Sequence, residues 1–484
     1  MCGSIKGWLY LLPLAPKEEI LALLFDSPVY FLFLVLVVVI YWRLSWRRQN
    51  AFLLCASYFF YGWWDWRFLL LMIFSTVIDY LIAQRISEEA PGARRRTLLI
   101  VSLCINFGLL GFFKYCNFFL DSFATLLGTL GVHTVPMFFL KIILPPGISF
   151  YTFQEVAYVV DVYKGELRPS RSFLDYGLFI TLFPHLIAGP IQRPSHLLPQ
   201  VQRPRQFNEG AFFDGCMLII SGLFRKTVIA DSCANLANMA FDGRLGANFW
   251  STFIGVYAFA WQIYGDFSGY SDIARGSAQL LGFHFMLNFR QPYFAGSLQD
   301  FWRRWHISLS TWLRDYLYIP LGGSRDGPTR TYVNLTITML LGGLWHGANW
   351  TFVIWGGIHG AWLSVERFFW PKRETSAWYS RILTLVVVGV SWIFFRARSL
   401  RAALEMLRSL THFQWEHQYG PELLFLAAVS SLMILIDYRL EAYQEEYIFE
   451  KARLALPICA CVVMAVLMVA FAASETNAFI YFQF

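Results

Sequence analysis

Long apolar runs separated by short basic connections set the pattern of this 484-residue chain. Several stretches hold no Asp, Glu, Lys or Arg at all: 27–42, 97–113, 176–192, 245–265, 331–365 and 454–474. A membrane-crossing helix needs about 20 mainly apolar residues. Shorter runs at 382–395 and 423–436 also qualify once their polar ends reach the headgroups. The pattern predicts roughly 10–12 spans. Strict alternation, which an outer-membrane barrel needs over strands of about 10 residues, is missing. The expectation is an all-α, polytopic integral membrane protein.

Composition agrees, with 57% hydrophobic, 19% aromatic and 15% charged residues, against about a quarter charged in a soluble domain. The fixed charges collect between runs, at Arg43, Arg47 and Arg48, at Arg85 and Arg94 to Arg96, at Lys164, Arg168 and Arg171, and at Arg193, Arg203 and Arg205. The positive-inside rule puts these loops on the cytoplasmic face. Pairs of spans must then return there, and "YGWWDWR" at 61–67 supplies one such turn. The formal charge of +7 is explained by topology and contact with anionic lipid, and no nucleic-acid partner is expected. Residues 1–25 combine one early lysine with a short apolar stretch but lack an A-x-A-like cleavage pattern, so a short or partly inserted first helix is expected there. Most of the eight cysteines lie in or beside apolar runs, where free Cys behaves as a small hydrophobe. No metal site or redox pair is expected. With no internal repeat and no long polar linker, residues 1–484 are expected to form one membrane-embedded domain.

Ionisable groups at membrane depth are costly and mark functional sites by default. Of the nine histidines, His133, His412 and His417 fall in loops. His185, His196 and His284 have structural roles as the first reading. His346 sits in "MLLGGLWHGANWTFVIWGGIHGAW", inside the charge-free stretch 331–365. As one helix this stretch would run about 50 Å, so it should break, with Gly342, Gly343 and Gly347 as the obvious places. Irregular backbone at that depth is tolerated only inside protein or along a wet cavity, which points to a buried, passage-lining His346. His359 follows in "GGIHG", where packing through small residues is the leading reading. His306 belongs to "LQDFWRRWHISLSTWLRDYLYIPLGG", too charged to cross a bilayer alone and too aromatic for a free loop. An interfacial or re-entrant helix fits, with His306 and Ser310 as i, i+4 neighbours.

"FWRRWHISLSTWLRDYLYIPLGG" followed by "LLGGLWHGANWTFVIWGGIHG" resembles the membrane-bound O-acyltransferase (MBOAT) family. Further matching segments include "YFFYGWWDWRFL", "LPPGISFYTFQEVAYVVDVYKGE", "FPHLIAGPIQRP", "YGDFSGYSDIARGSAQLLGF" and the terminal "FIYFQF". Together they resemble the bacterial branch that acetylates exopolysaccharides such as alginate. The resemblance implies a ring of tilted helices and re-entrant segments around a central tunnel, with the catalytic region at 296–365. It also implies two polar sites, His306 and His346, in a multi-pass protein of the bacterial inner membrane.

For transfer of an acetyl group from a thioester, expected to be acetyl-CoA, to a hydroxyl, a neutral imidazole can take the acceptor proton. His346 is assigned as general base and His306 as a group that orients the donor or stabilises the developing oxyanion. Trp305, Ser310, Asp315, Tyr318, Trp345 and Asn349 are candidate substrate-contacting residues. Arg303, Arg304, Arg325 and Arg330 are candidates for attracting donor phosphates. No bound cofactor is expected. A covalent acyl-Ser310 route lacks a G-x-S-x-G elbow and an evident orienting carboxylate, so direct transfer is preferred. The alternatives are D-alanyl transfer from a carrier-protein thioester, as in the teichoic-acid branch, and non-enzymatic transport of an acyl group or lipid. Lacking a large periplasmic domain, the chain is expected to work with a periplasmic SGNH-like acetyltransferase or another acyl-accepting partner, with an alginate- or cellulose-like glycan as the final acceptor.

Overall fold

Capping residues start the first helices where the sequence suggests. The computed structural model describes residues 25–131, 142–187, 189–370, 377–471 and Phe479. The helix expected within 1–25, apart from Phe25, and the loop expected to hold His133 therefore lie outside the described residues. Ser27 accepts from the Tyr30 amide at 3.1 Å to open α1 (Pro28–Tyr41), with Pro28 in the first turn. The turn at 61–67 ends α2 (Trp46–Gly62), and Asp65 caps α3 (Trp66–Glu88) by accepting from the Arg67 amide at 2.9 Å. Next come α4 (Ala93–Leu110), which continues through a π-helical turn at Gly111–Tyr115 into Cys116–Thr129, and then α5 (Ile148–Lys164). The middle of the chain supplies α6 (Glu209–Phe224), α7 (Asp231–Phe241) and α8 (Phe249–Leu280). The site is built on α9 (Leu298–Arg304), α10 (Ile307–Leu313), α11 (Gly327–His346), α12 (Trp350–Phe369) and α13 (Trp378–Arg396), flanked by α14 (Tyr419–Tyr443). Among the described residues there is no strand.

Among the described residues, four helices are long and apolar enough to cross a membrane: α3, Ala93–Thr129, α13 and α14. Two shorter apolar helices, α1 and Ala455–Ala470, accompany them. Their outward faces carry Leu32, Val35 and Leu36, and Val462, Val466 and Val469, as lipid contact requires. The 32-residue α8 is longer than all of these but Ala93–Thr129, yet less apolar, because Asp266, Asp272 and Arg275 are buried along it. Those charges are matched inside the protein. Arg225 pairs with Asp272 at 2.8 Å, and Lys226 meets Asp231 at 2.8 Å and Asp266 at 3.0 Å. Polar residues satisfied internally let a helix sit at membrane depth without scoring as a simple span.

Small residues decide how closely the helices approach. Gly215 and Gly222 of α6 face Gly276 and Gly269 of α8, so that a Cβ on Gly222 would lie 2.5 Å from the Gly269 carbonyl oxygen and one on Gly276 2.5 Å from that of Gly215. The two pairs are each seven residues apart and run in opposite directions, giving an antiparallel backbone contact of the small-residue kind found between membrane helices. α11 and α12 use the same device. A Cβ on Gly343 would lie 2.2 Å from the Phe352 carbonyl oxygen, and one on Gly356 2.2 Å from that of Met339.

This packing corrects two expectations and refines a third. The stretch 331–365 does break, but after His346, with Gly347 extended at φ −163°. Gly342 and Gly343 stay helical, and Gly343 serves the contact with α12 instead. The segment around His306 is two short helices, α9 and α10, meeting at Trp305 and His306. Arg193 and Arg205, counted among the loop charges, are drawn into the protein. Arg193 pairs with Asp315 at 2.8 Å, and Arg205 donates to the Asn50 side chain and the Tyr41 hydroxyl, both at 2.5 Å.

Gly356→Val should drive a side chain into the Met339 backbone, which cannot yield, and overpacking of this kind costs about 1–3 kcal/mol or more. A lower thermal midpoint of the detergent-purified protein is expected. Gly357→Val, whose Cβ would meet only a Leu340 methyl at 3.5 Å, should be tolerated, and equal midpoints for the two variants would contradict the packing described.

Candidate active site

His306 sits at a break that the chain must be held in. Its backbone is left-handed, φ 44° and ψ 53°, a conformation that costs a residue with a Cβ about 1–2 kcal/mol. Asn288 compensates from the segment that follows α8. Its carbonyl accepts from the Ile307 amide at 2.9 Å, while its side-chain oxygen accepts from the Ser308 amide at 3.2 Å and the Ser308 hydroxyl at 2.9 Å. The same oxygen lies 3.1 Å from His306 Nδ1. Because a backbone amide donates to it, this atom is the amide oxygen, and the Nδ2 group donates to Ser271 on α8 at 3.2 Å. His306 Nδ1 must then carry the proton. Nε2 is left as a buried lone pair with no hydrogen-bond partner among the described residues.

His346 is the last residue of α11. The carbonyls at that end have no helical partners. Two residues of the π-helical turn supply them: Lys114 Nζ donates to the Trp345 carbonyl and, at 3.2 Å, to the Ser149 hydroxyl, and the Tyr115 hydroxyl donates to the Leu344 carbonyl at 2.9 Å. A cation at a helix C-terminus also suits the helix dipole. The His346 ring stands in an aromatic box, with centroids 5.0 Å from Trp345, 5.2 Å from Trp355 and 5.3 Å from Phe395. The two imidazoles converge, with centroids 6.3 Å apart and Trp345 beside both. Phe267 closes the other side of His306 at 4.7 Å, and Phe479 packs on Phe267 at 5.9 Å.

His359 is also buried, yet both its nitrogens are engaged. Trp302 Nε1 donates to Nδ1 at 3.2 Å, so Nε2 bears the proton and donates to the Ser391 hydroxyl at 3.0 Å, which in turn donates to the Val388 carbonyl. This imidazole ties α9, α12 and α13 together and has no lone pair to offer a substrate. His185 is buried against Phe285 at 5.4 Å. The exposed His196 ring bonds the His284 carbonyl at 2.8 Å, joining two loops.

The remaining candidates separate into two groups. Trp345 touches both histidines, and Trp305 is buried behind them, stacked on Phe301 and 5.3 Å from Trp392. The Ser310 hydroxyl donates to the Trp305 carbonyl at 3.2 Å rather than to a ring. Asp315 is held by Arg193 and Arg314, Tyr318 ends a π-helical turn beside Gly323, and Asn349 caps α12 through the Thr351 amide. Arg304 is committed to Asp300 and Glu441, both at 3.0 Å, and Arg325 to the carbonyls of Gly322 and Ile319, while Arg303 and Arg330 are exposed.

Asn288, Lys114 and Tyr115 were not legible as site residues. Lys114 did carry a signal, as a lone cation in the apolar "GLLGFFKYCNFF". Asn288 in "FMLNFRQPY" carried none.

A family model described as the membrane-bound O-acyltransferase family matches residues 166–403. The probable alginate O-acetylase AlgI of Pseudomonas aeruginosa is 42% identical over 402 residues, covering 81% of this chain and 75% of that protein. The chain belongs to the membrane-bound O-acyltransferase family. The peptidoglycan O-acetyltransferase of Helicobacter pylori is 35% identical over 527 residues, 96% of this chain and 98% of its own length. The teichoic acid D-alanyltransferase of Bacillus subtilis is more distant, at 25% over 51% of this chain. The protein is thus a multi-pass membrane acyltransferase.

If Asn288 fixes the His306 tautomer and turn, Asn288→Ala should lower acyl transfer by up to about 100-fold, the cost of a group displaced by an ångström. Size-exclusion behaviour in detergent should stay that of the wild type. Unchanged turnover in a purified transfer assay would remove Asn288 from the site.

Proposed function

We propose that this protein takes an acetyl group from a thioester donor, acetyl-CoA, at the cytoplasmic side of the bacterial inner membrane and passes it to a hydroxyl reached from the periplasmic side. The acceptor route leads to a cell-surface polysaccharide, alginate- or cellulose-like or peptidoglycan, through a periplasmic SGNH-like acetyltransferase or another acyl-accepting partner. The observation that carries this reading is the meeting of His306 and His346, with ring centroids 6.3 Å apart, at the end of a helix that stops inside the protein.

In this mechanism the His346 imidazole accepts the proton of the acceptor hydroxyl as its oxygen attacks the thioester carbonyl carbon. The new C–O bond forms, the C–S bond breaks, and the thiolate recovers the proton from the imidazolium. His306 offers a lone pair at Nε2, since its proton is on Nδ1 facing Asn288. That favours accepting a hydrogen bond from an N–H of the donor, and so orienting it, over donating to an oxyanion. The aromatic walls from Trp345, Trp355 and Phe395 exclude water that would hydrolyse the thioester. The engagement of Ser310 with the Trp305 carbonyl favours direct transfer over an acyl-serine.

His346→Ala should reduce transfer of radiolabelled acetyl from acetyl-CoA by roughly 10²–10⁴-fold, the usual contribution of a positioned base. Ser310→Ala should keep the rate within the same order of magnitude. Full activity in His346→Ala would eliminate the base assignment, and a loss in Ser310→Ala matching that in His346→Ala would reinstate the covalent route. A wild-type protein that consumes only D-alanyl carrier-protein thioester would overturn the acetyl donor.

A further inference from the structure

Away from the histidines, α8, α13 and α14 leave a cleft of about 690 Å³ between them. Along α13 it runs from Arg381 to Ile393, about 18 Å of helix. Val388, Trp392 and Ile393 line its inner side and are almost wholly buried, whereas Ile382 and Val386 on the same helix, Phe253 on α8 and Ile434 on α14 line it and are exposed. Midway along α13 the lining residue is Gly389, where an added Cβ would meet only a Val256 methyl at 3.5 Å.

Most polar atoms along the cleft are spent inside the protein. Tyr257 and Trp261 bond the Ser430 hydroxyl, Thr252 bonds that of Ser409, Tyr293 donates to the Ala260 carbonyl, and Asp437 accepts from Tyr264. Over most of its length the lining therefore offers an occupant hydrocarbon. Arg381 is the exception. It is exposed at one end of the cleft, and its guanidinium makes no hydrogen bond or ion pair with any described residue. Trp378 and Tyr379 are exposed within a turn of it, and such residues settle at headgroup depth.

We propose that this cleft holds one acyl chain of an anionic phospholipid whose phosphate is bound by Arg381. The length fits, since about 18 Å of helix is a little more than one leaflet of a hydrocarbon core roughly 30 Å thick. The charge fits as well, because a guanidinium takes phosphate oxygens in a forked pair of hydrogen bonds. Volume decides against a transmembrane helix of a partner protein: a cylinder about 10–12 Å across and 18 Å long displaces on the order of 1,400–2,000 Å³, about twice the cleft or more. The occupant also bears on the acyl-transfer site. Trp392 stands between the cleft and the histidines, with its ring 5.3 Å from Trp305 and 5.2 Å from Phe395, which borders His346. A chain lying against Trp392 supplies the packing contacts that side of the ring lacks, so the bound lipid steadies the aromatic wall from outside, whichever acyl donor the protein uses.

The test uses the full chain, purified in detergent, stripped of lipid by exhaustive washing and then supplied with phosphatidylglycerol or phosphatidylcholine. Native mass spectrometry counts the retained lipid while thermal unfolding is followed in parallel. One phosphatidylglycerol per chain should be retained, and it should raise the thermal midpoint more than phosphatidylcholine does. Arg381→Gln should weaken that retention by roughly tenfold, the low end for a hydrogen bond to a charged group, and should make the two lipids equivalent. Gly389→Leu, which puts a side chain into the cleft, should exclude the lipid. Equal retention of the two lipids by the wild type, no retained lipid at all, or unchanged retention in Arg381→Gln would each overturn the proposal. Unchanged retention in Gly389→Leu would put the lipid elsewhere and overturn the assignment to this cleft. If Gly389→Leu does not fold, the exposed Arg381→Gln variant still decides the matter.

Discussion

A helix that stops inside apolar surroundings leaves amides and carbonyls that water cannot reach, and both histidines sit at such stops. Around His306 the gap between α9 and α10 is filled by Asn288, which serves the Ile307 and Ser308 amides and the imidazole. At His346 the end of α11 is served by Lys114 and Tyr115 from a π-helical turn. Without these partners the breaks would leave unsatisfied backbone groups costing several kcal/mol each in a membrane interior. The groups that make irregular backbone tolerable are therefore the same ones that aim the two imidazoles.

Helix contacts built on glycine make those stops possible. Antiparallel pairs at 215/276 and 222/269 bring α6 against α8, and Gly343 and Gly356 bring α11 against α12 at backbone distance. With α12 so close, the chain after His346 has room only for the tight connection at 347–349. Bulk then comes from outside, through Trp355, Trp392 and Phe395, which complete the aromatic wall. His359 belongs to this scaffold, tying α9 to α13 through Trp302 and Ser391.

Charge is distributed by the same logic. Arg225, Lys226, Asp231, Asp266 and Asp272 neutralise one another where α6, α7 and α8 meet.

The sequence alone determined that this is a helical membrane protein, because apolar runs of membrane length are a one-dimensional property; it marked His346 because an ionisable group is conspicuous in such a run, and His306 by the basic, aromatic segment around it and that segment's resemblance to the acyltransferase family. It also located the turn at 61–67 and the break following α11, since Asp65 and the glycines are local signals. Only the tertiary structure decided which glycine breaks the chain and which packs, that Arg193 and Arg205 turn inward, that Ser310 serves a carbonyl, and that Asn288 and Lys114 hold the site. Those outcomes depend on which residue meets which across separations such as the 231 positions between Lys114 and Trp345. No local pattern encodes a partner that distant, and the side chains competing for each buried backbone group become known only when the helices are packed.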